Sequence, residues 1–170
     1  GGIGYFDHVV SGGLDWQKNG TTLREEGYTT DLIKDAAINI IEGRTASDAP
    51  LFLFVSFNAI HTPVEEPKEA SVEHHGRATL LRMISALDNA VGDVVEAIMN
   101  QSWGKNTVIL FASDNGGSSP KPWLVELLIP PMRDGFSDNG SLKQGKGSVF
   151  EGGIRAVSYT HLRAHETNSN

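Results

Sequence analysis

The possible folds of this chain are constrained most by two long apolar runs, PLFLFVSF at residues 50–57 and NTVILFA at residues 106–112. Neither run alternates polar and apolar residues, and this pattern is typical of a strand that is covered on both faces. Between them, residues 78–100 carry apolar side chains at steps of three and four, which predicts a long helix. A strand, a helix and a second strand in this order form a right-handed crossover. The sequence therefore predicts an α/β fold with parallel strands.

A second helix is predicted just after the N-terminal region. Thr30 has the side chain of an N-cap, Asp31 suits the positive end of the helix dipole, and Gly43 suits the C-terminal end. One face of this helix carries the apolar residues Leu32, Ile33, Ala36, Ala37, Ile40 and Ile41. Residues 1–20 are rich in glycine and aromatic residues without a helical period, which predicts a loop with one or two short strands or turns.

The composition excludes several classes of protein. None of the 170 residues is cysteine, so disulfides, thiolate metal sites and a cysteine nucleophile are ruled out for this sequence. The net charge of −7 argues against a nucleic-acid backbone as the main partner, because such proteins present a basic face. No apolar run approaches the roughly 20 residues of a membrane span, and the first 20 residues lack the pattern of a signal peptide. We therefore expect no membrane segment in this sequence.

Polar side chains follow both predicted strands, at the edge where ligands bind in open parallel sheets. His61 comes four residues after the first run, and Asp114 and Asn115 come almost directly after the second. Adjacent carboxylate and carboxamide oxygens suit a hard cation such as calcium or magnesium, and imidazole is the usual proton donor near neutral pH. The alternatives are an ordinary Asp-Asn-Gly-Gly turn and a histidine that only caps the edge of the core.

The segment SLKQGKGSVFEGGIR, residues 141–155, closes a stretch with the composition of a long functional loop. Lys143 and Lys146 lie among glycines, where an ammonium group could contact an anionic oxygen. Their alternative is simple exposure to solvent. The Glu-Gly-Gly sequence at 151–153 predicts a tight turn before another strand.

The order of these motifs closely resembles the arylsulfatase-type sulfatases of the alkaline phosphatase superfamily. The matching motifs are H-T-P after the first run, S-D-N-G-G after the second, and then G-K-G-S-V-F-E-G-G-I-R. The similarity covers residues 1–156 and includes GYTTDLIKDAAINII and LIPPMRDGF. It implies part of a three-layer sandwich, with a mainly parallel central sheet flanked by helices. It also implies a sulfuric ester hydrolase that acts on aryl or carbohydrate sulfate monoesters, either small molecules or glycans.

The resemblance implies a role for each matching residue. Asp114 and Asn115 match two ligands of the family's active-site calcium ion. His61 matches the histidine proposed to protonate the leaving alcohol, and Lys146 matches the lysine that holds a sulfate oxygen. Such a reaction needs positive charge near the sulfuryl oxygens and an acid near the leaving oxygen. The Glu-Gly-Gly segment at 151–153 matches a family motif that supports the loop carrying Lys146.

The sequence departs from the family pattern in one decisive respect. The family's nucleophile is a formylglycine made from Cys or Ser in a C/S-x-P-x-R motif, and the 170 residues contain no such motif. We expect the formylglycine, the paired aspartates of the metal site and a further lysine and histidine upstream of the segment seen here. We therefore predict that the isolated chain does not hydrolyse sulfate esters and binds calcium weakly, because only part of the ligand shell is present.

The last 14 residues have no relation to what precedes them. VSYTHLRAHET resembles the translation of a sequencing adapter, so we expect residues 1–156 to be a partial sulfatase catalytic domain and residues 157–170 to be a non-native tail outside the fold.

Other functions remain compatible with the sequence. One alternative is a phosphodiesterase or phosphonate monoester hydrolase of the same superfamily, and another is a non-catalytic relative that binds sulfated glycans. Trp123 and Arg133 are candidates for contacting the substrate, with packing as their alternative role. The family is commonly secreted, periplasmic or lysosomal.

Overall fold

The structure is a computed structural model that describes residues 2–67, 77–118 and 137–161. The chain divides into two compact units, Gly1–Gly104 and Lys105–Asn170. Over the described ranges, no helix is both long and apolar enough to cross a membrane.

Two helices are the longest elements of the first unit. Helix α1 spans Thr29–Glu42 and helix α2 spans Arg77–Met99, close to the predicted ranges, and the two helices pack against each other. Tyr28, not Thr30, occupies the N-cap position of α1, and no side chain caps this end. The ammonium group of Lys34 on α1 lies 3.5 Å from a carboxylate oxygen of Asp93 on α2, which adds an ion pair to the apolar contact. A 3₁₀ turn, Gly104–Asn106, follows α2.

Two small hairpins with four short strands precede α1, where the sequence predicts a loop with only one or two short strands or turns. Strands β1 (Val9–Val10) and β2 (Gly13–Leu14) pair antiparallel, as do β3 (Gln17–Lys18) and β4 (Thr21–Thr22). The loop of each hairpin consists of two residues with positive φ. These are Ser11 and Gly12 in the first hairpin and Asn19 and Gly20 in the second. Two positive φ angles in a two-residue loop match the twist of paired strands, which explains why these glycines are needed.

The predicted first strand is not observed. Residues 51–58 have no regular secondary structure, and the side chains of Phe52 and Phe54 are 91% and 79% exposed. A continuous apolar run becomes a strand only when neighbouring strands accept its backbone hydrogen bonds and helices cover its faces. No described residue pairs with this segment in a sheet, so the interpretation as a buried strand is wrong for this structure.

The second unit contains the predicted second strand, but in a different pairing. Strand β5 (Ile109–Ala112) pairs antiparallel with strand β6 (Ser158–His161), from Ile109 opposite His161 to Ala112 opposite Ser158. The predicted parallel pairing is therefore absent from the part of the chain that the structure describes. β5 is also more exposed than predicted, since the side chain of Leu110 is 65% exposed.

The pairing of β6 also corrects one expectation about the tail. The sequence places residues 158–161 outside the fold, yet their backbone forms a strand with β5. A free strand edge offers unpaired N–H and C=O groups to any extended segment within reach, whatever the origin of that segment. The non-native origin of residues 157–170 stays a prediction.

Candidate functional site

Asp114 and Asn115 lie on the loop that begins where β5 ends. The Ser113 N–H donates to the Val157 carbonyl at 2.9 Å, and the Ser113 hydroxyl donates to the Asn115 carbonyl at 2.8 Å. These two bonds fix the start of the loop. The Asp114 side chain is exposed and that of Asn115 is partly buried. Neither of these side chains has a hydrogen bond or an ion pair within the described ranges, so both present free oxygen atoms.

This oxygen pair fits part of a calcium site. Carboxylate and amide oxygens are the ligands that calcium prefers, but the ion takes six to eight of them. Over the described residues there is no group of three or more His, Cys, Asp or Glu side chains that could hold a metal ion. Asp114 and Asn115 therefore supply two donors of the right chemistry, and the remainder would come from other residues, water or substrate.

The side chain of Asn139 holds a second loop, residues 139–146, against the loop that carries Asp114. Its carboxamide oxygen accepts from the Gly117 N–H, and its amide nitrogen donates to the carbonyls of Gly117 and Gln144, each at 3.0 Å. The Lys146 N–H also donates to the Gly117 carbonyl, at 2.9 Å. These bonds bring the backbone of Lys146 next to the loop that carries Asp114.

Asn139 was missed by the sequence analysis, although a signal was present. The tetrapeptide Ser-Asp-Asn-Gly occurs at residues 113–116 and again at residues 137–140. The first copy supplies the predicted metal ligands. In the second copy, the asparagine is used to join two backbone segments.

The two lysines of the glycine-rich loop differ in their surroundings. The Lys143 ammonium lies 3.9 Å from the centre of the Phe150 ring, which is a favourable cation–π distance. Lys146 is exposed, and its side chain has no partner in the part of the chain that the structure describes. Lys146 is therefore the lysine whose charge is free to meet an anion.

The Glu-Gly-Gly segment forms a single helical turn, α3 (Glu151–Ile154), followed by β6, as the sequence predicts. Both glycines are buried, and a Cβ atom at either position would meet backbone oxygens of the preceding loop. At Gly152 these include the Lys143 carbonyl oxygen at 2.7 Å, and at Gly153 the Gly145 carbonyl oxygen at 2.7 Å. The turn therefore supports the loop between Lys143 and Lys146, because only residues without a side chain allow this close approach.

His61 belongs to the other unit, where it lies at the end of a turn. Its N–H donates to the Asn58 carbonyl at 2.8 Å, and its Nδ1 lies 2.8 Å from the Thr62 carbonyl oxygen. A carbonyl only accepts hydrogen bonds, so the Nδ1 contact requires a proton on Nδ1. In the neutral ring this leaves Nε2 as the acceptor, and protonation makes Nε2 a donor. The ring is exposed, so Nε2 is accessible.

The turn of His61 rests on a buried pair of tyrosines. Tyr5 and Tyr28 stack with ring centroids 5.0 Å apart and form a core cluster with Met83 of α2. Burial raises the pKa of Tyr28 to about 12 and raises the pKa of Tyr5 further. Both hydroxyls therefore stay protonated at neutral pH and act as hydrogen-bond donors. The hydroxyl of Tyr28 donates to the Glu65 carbonyl at 2.9 Å.

The candidate substrate contacts Trp123 and Arg133 lie outside the described residues. Of the four residues assigned to catalysis and metal binding, Asp114, Asn115 and Lys146 lie on neighbouring loops of the second unit, and His61 lies in the first.

The sequence model of the sulfatase family matches residues 3–157. The chain belongs to the sulfatase family. The match includes all four candidate residues, and it shows that the resemblance seen in the separate motifs extends through the segments between them. By this resemblance the chain is related to sulfuric ester hydrolases.

Named relatives agree with this assignment. The chain is 33% identical to arylsulfatase J of Mus musculus over an alignment of 117 positions that covers 66% of this chain and 17% of the relative. It is 30% identical to N-acetylgalactosamine-6-sulfatase of Rattus norvegicus over an alignment of 176 positions that covers 96% of this chain and 31% of the relative. The chain therefore spans less than a third of each of these relatives.

A solved structure gives the same result for the fold. The crystal structure of Ps i-CgsB in complex with k-i-k-neocarrahexaose matches 97% of this chain and 38% of its own length, with a TM-score of 0.76 and 29% identity. The fold is thus that of a sulfatase-type α/β protein, of which this chain represents a part.

Proposed function

We propose that this chain is part of an enzyme that hydrolyses sulfate monoesters. The family match over residues 3–157 carries the proposal. It is supported by the exposed oxygen pair of Asp114 and Asn115 and by the free ammonium of Lys146 on the neighbouring loop. The alternatives of a phosphoester hydrolase and of a non-catalytic glycan-binding protein gain no specific support from the relatives named above.

Each residue has a proposed role that its surroundings allow. The Asp114 carboxylate and the Asn115 carboxamide would hold one calcium ion, which when bound supplies positive charge for the sulfuryl oxygens. Lys146 would contact a sulfate oxygen and stabilise the charge on it during the reaction. The expected nucleophile is a formylglycine encoded upstream of Gly1.

His61 is proposed to protonate the leaving alcohol. Its Nδ1–H is engaged by the Thr62 carbonyl, so the transferable proton would be carried on Nε2. A general acid of this kind typically contributes about 10²- to 10⁴-fold to the rate.

The substrate class that we propose to test first is carbohydrate sulfate. One relative is named for a sulfated amino sugar, and the matched crystal structure contains an oligosaccharide. Aryl sulfates are the second class, because arylsulfatase J is also similar.

The decisive experiment is to recover and translate the DNA upstream of Gly1 in the source. A C/S-x-P-x-R motif preceded by paired aspartates would support the sulfatase proposal and the four assigned roles. A threonine or another unmodifiable residue at the nucleophile position would contradict it and favour a phosphoester hydrolase or a binding protein.

The isolated chain is expected to be inactive. Purified 170-residue protein should release no product from an aryl sulfate or a sulfated oligosaccharide, because its sequence lacks the motif that yields the nucleophile. The measurement is product release over hours against a blank without enzyme. Turnover that survives repurification of the chain would show that a nucleophile is present among these residues.

Calcium should bind weakly to the isolated chain, with a Kd of about 1 mM or higher, because two donors are a small part of the usual shell. A calcium titration followed by the amide NMR signals of residues 113–117 measures this binding. Asp114→Ala should remove the response. Asp138→Ala is the matched control, since this exposed aspartate of the same unit instead bonds the Gly140 N–H at 2.7 Å. An equal response in the Asp114→Ala variant would contradict the assignment.

A further inference from the structure

The His61 turn is held by a hydroxyl group that is distant in sequence. The turn closes with the bond from the His61 N–H to the Asn58 carbonyl. The Tyr5 hydroxyl lies 3.0 Å from the Asn58 carbonyl oxygen and 3.0 Å from the His61 carbonyl oxygen. A hydroxyl has one hydrogen, so it is shared between the two carbonyls or alternates between them. In both cases a single side chain holds the two ends of the turn.

Burial and backbone hydrogen bonds fix the position of Tyr5. Its side chain is 0% exposed, and it packs with Tyr28 and Met83 in the core cluster of the first unit. Its N–H donates to a carboxylate oxygen of Glu65 at 2.7 Å, and its carbonyl accepts from the Thr29 N–H at the start of α1 at 2.9 Å. The hydroxyl is therefore a fixed point, because moving it would disturb both the core and the end of a helix.

The position of the turn's backbone sets which ring nitrogen of His61 carries the hydrogen and which one keeps a free lone pair. The Nδ1–H bonds the carbonyl of the next residue, Thr62, at 2.8 Å. The Thr62 carbonyl lies one peptide beyond the His61 carbonyl that the Tyr5 hydroxyl bonds, so a bond that fixes the His61 carbonyl also limits where the His61 ring and the Thr62 carbonyl lie. The hydrogen bond made by one ring nitrogen sets the tautomer and leaves the other nitrogen for chemistry.

We propose that Tyr5 is a positioning residue for His61: its buried hydroxyl fixes the Asn58–His61 turn so that Nδ1 stays bonded to Thr62 and Nε2 is the reactive nitrogen. This inference rests on the proposed acid role of His61 and adds to it the residue that orients the acid. Tyr28 does not share the role, because its hydroxyl bonds the Glu65 carbonyl instead.

The test uses NMR of the 170-residue chain labelled with ¹⁵N-histidine. The ring signals of His61 are assigned among the six histidines with a His61→Gln variant. In Tyr5→Phe, the ratio of the Nδ1–H to the Nε2–H tautomer of neutral His61 should fall by about two- to tenfold, the equivalent of one typical hydrogen bond. Tyr28→Phe is the matched control, because it removes a buried tyrosine hydroxyl from the same cluster and should leave this ratio unchanged.

His8 serves as an internal reference. It is buried in the same unit, and its Nε2 lies 3.1 Å from the Gly27 carbonyl oxygen. Its ring signals should be unchanged in Tyr5→Phe, whereas general loosening of the unit would shift them. An unaltered His61 ratio in Tyr5→Phe, or an equal change in Tyr28→Phe, would overturn the proposal.

A second measurement covers the case in which Tyr5→Phe does not fold. In the unsubstituted chain the Tyr5 hydroxyl proton should exchange slowly with water and show a nuclear Overhauser contact to the His61 amide or α proton. A rapidly exchanging hydroxyl without this contact would refute the positioning role. These outcomes do not depend on turnover, so a failure of the sulfatase proposal is distinguishable from a failure of this one.

Discussion

Replacing Lys146 with alanine in the complete sulfatase should lower kcat by about 100- to 1,000-fold, the usual cost of removing one preorganised donor from the reacting oxygens. The reason is the free ammonium group of Lys146, which is exposed on a loop bonded to the Asp114 loop through the Gly117 carbonyl. Steady-state kinetics with a sulfate ester measure the effect. Lys146→Arg should recover part of the activity, since it keeps the charge but changes its geometry.

Lys143→Ala is the matched control for this prediction. Lys143 lies three positions earlier on the same loop, but its ammonium is placed over the Phe150 ring. Its loss should lower the free energy of unfolding by about 0.5–1 kcal/mol, the value of an exposed cation–π contact, and leave kcat nearly unchanged. Equal losses of kcat in the two variants would show that the loop as a whole, and not the Lys146 charge, is what matters.

Local sequence patterns predicted the helices well. α2 was predicted at residues 78–100 and is observed at Arg77–Met99, because six turns of regular apolar spacing leave few alternatives. Near the N-terminus only short strands or turns were predicted, and the turns are observed because glycine and asparagine supply the positive φ angles that tight turns need. The position of Asp114 and Asn115 after β5 was also predicted correctly.

Features that depend on distant parts of the chain were predicted poorly. The runs at 50–57 and 106–112 have the composition of buried strands, but strand pairing and burial depend on which other segments lie beside them. The same limit applies around the site. Asn139 bonds a residue 22 positions away, and Tyr5 bonds one 56 positions away. No local spacing predicts which distant carbonyl a side chain will reach.

Gly116→Ala is expected to lower the free energy of unfolding of the second unit by about 2–3 kcal/mol, the cost of forcing atoms into a fully packed contact. A Cβ atom at this position would collide with the Gly152 carbonyl oxygen and lie 2.8 Å from its carbon. The Gly116 N–H also donates to the Gly153 carbonyl at 3.0 Å, so the two backbones cannot separate without losing this bond. Urea unfolding followed by the amide signals of residues 105–118 measures the change.

Gly92→Ala separates this steric cost from the general effect of replacing a glycine. Gly92 lies inside α2, and no packed neighbour among the described residues lies within 4 Å of the position that an alanine methyl group would take. Alanine should therefore stabilise the first unit by about 0.5–1 kcal/mol.

Because Gly116 directly follows Asn115, its displacement should also weaken the calcium response of the Asp114 loop, while Gly92→Ala leaves that response unchanged. A Gly116→Ala variant as stable as the original chain would mean that the loop and α3 are not in close contact, and the proposed support of the site by the Glu-Gly-Gly turn would then be wrong.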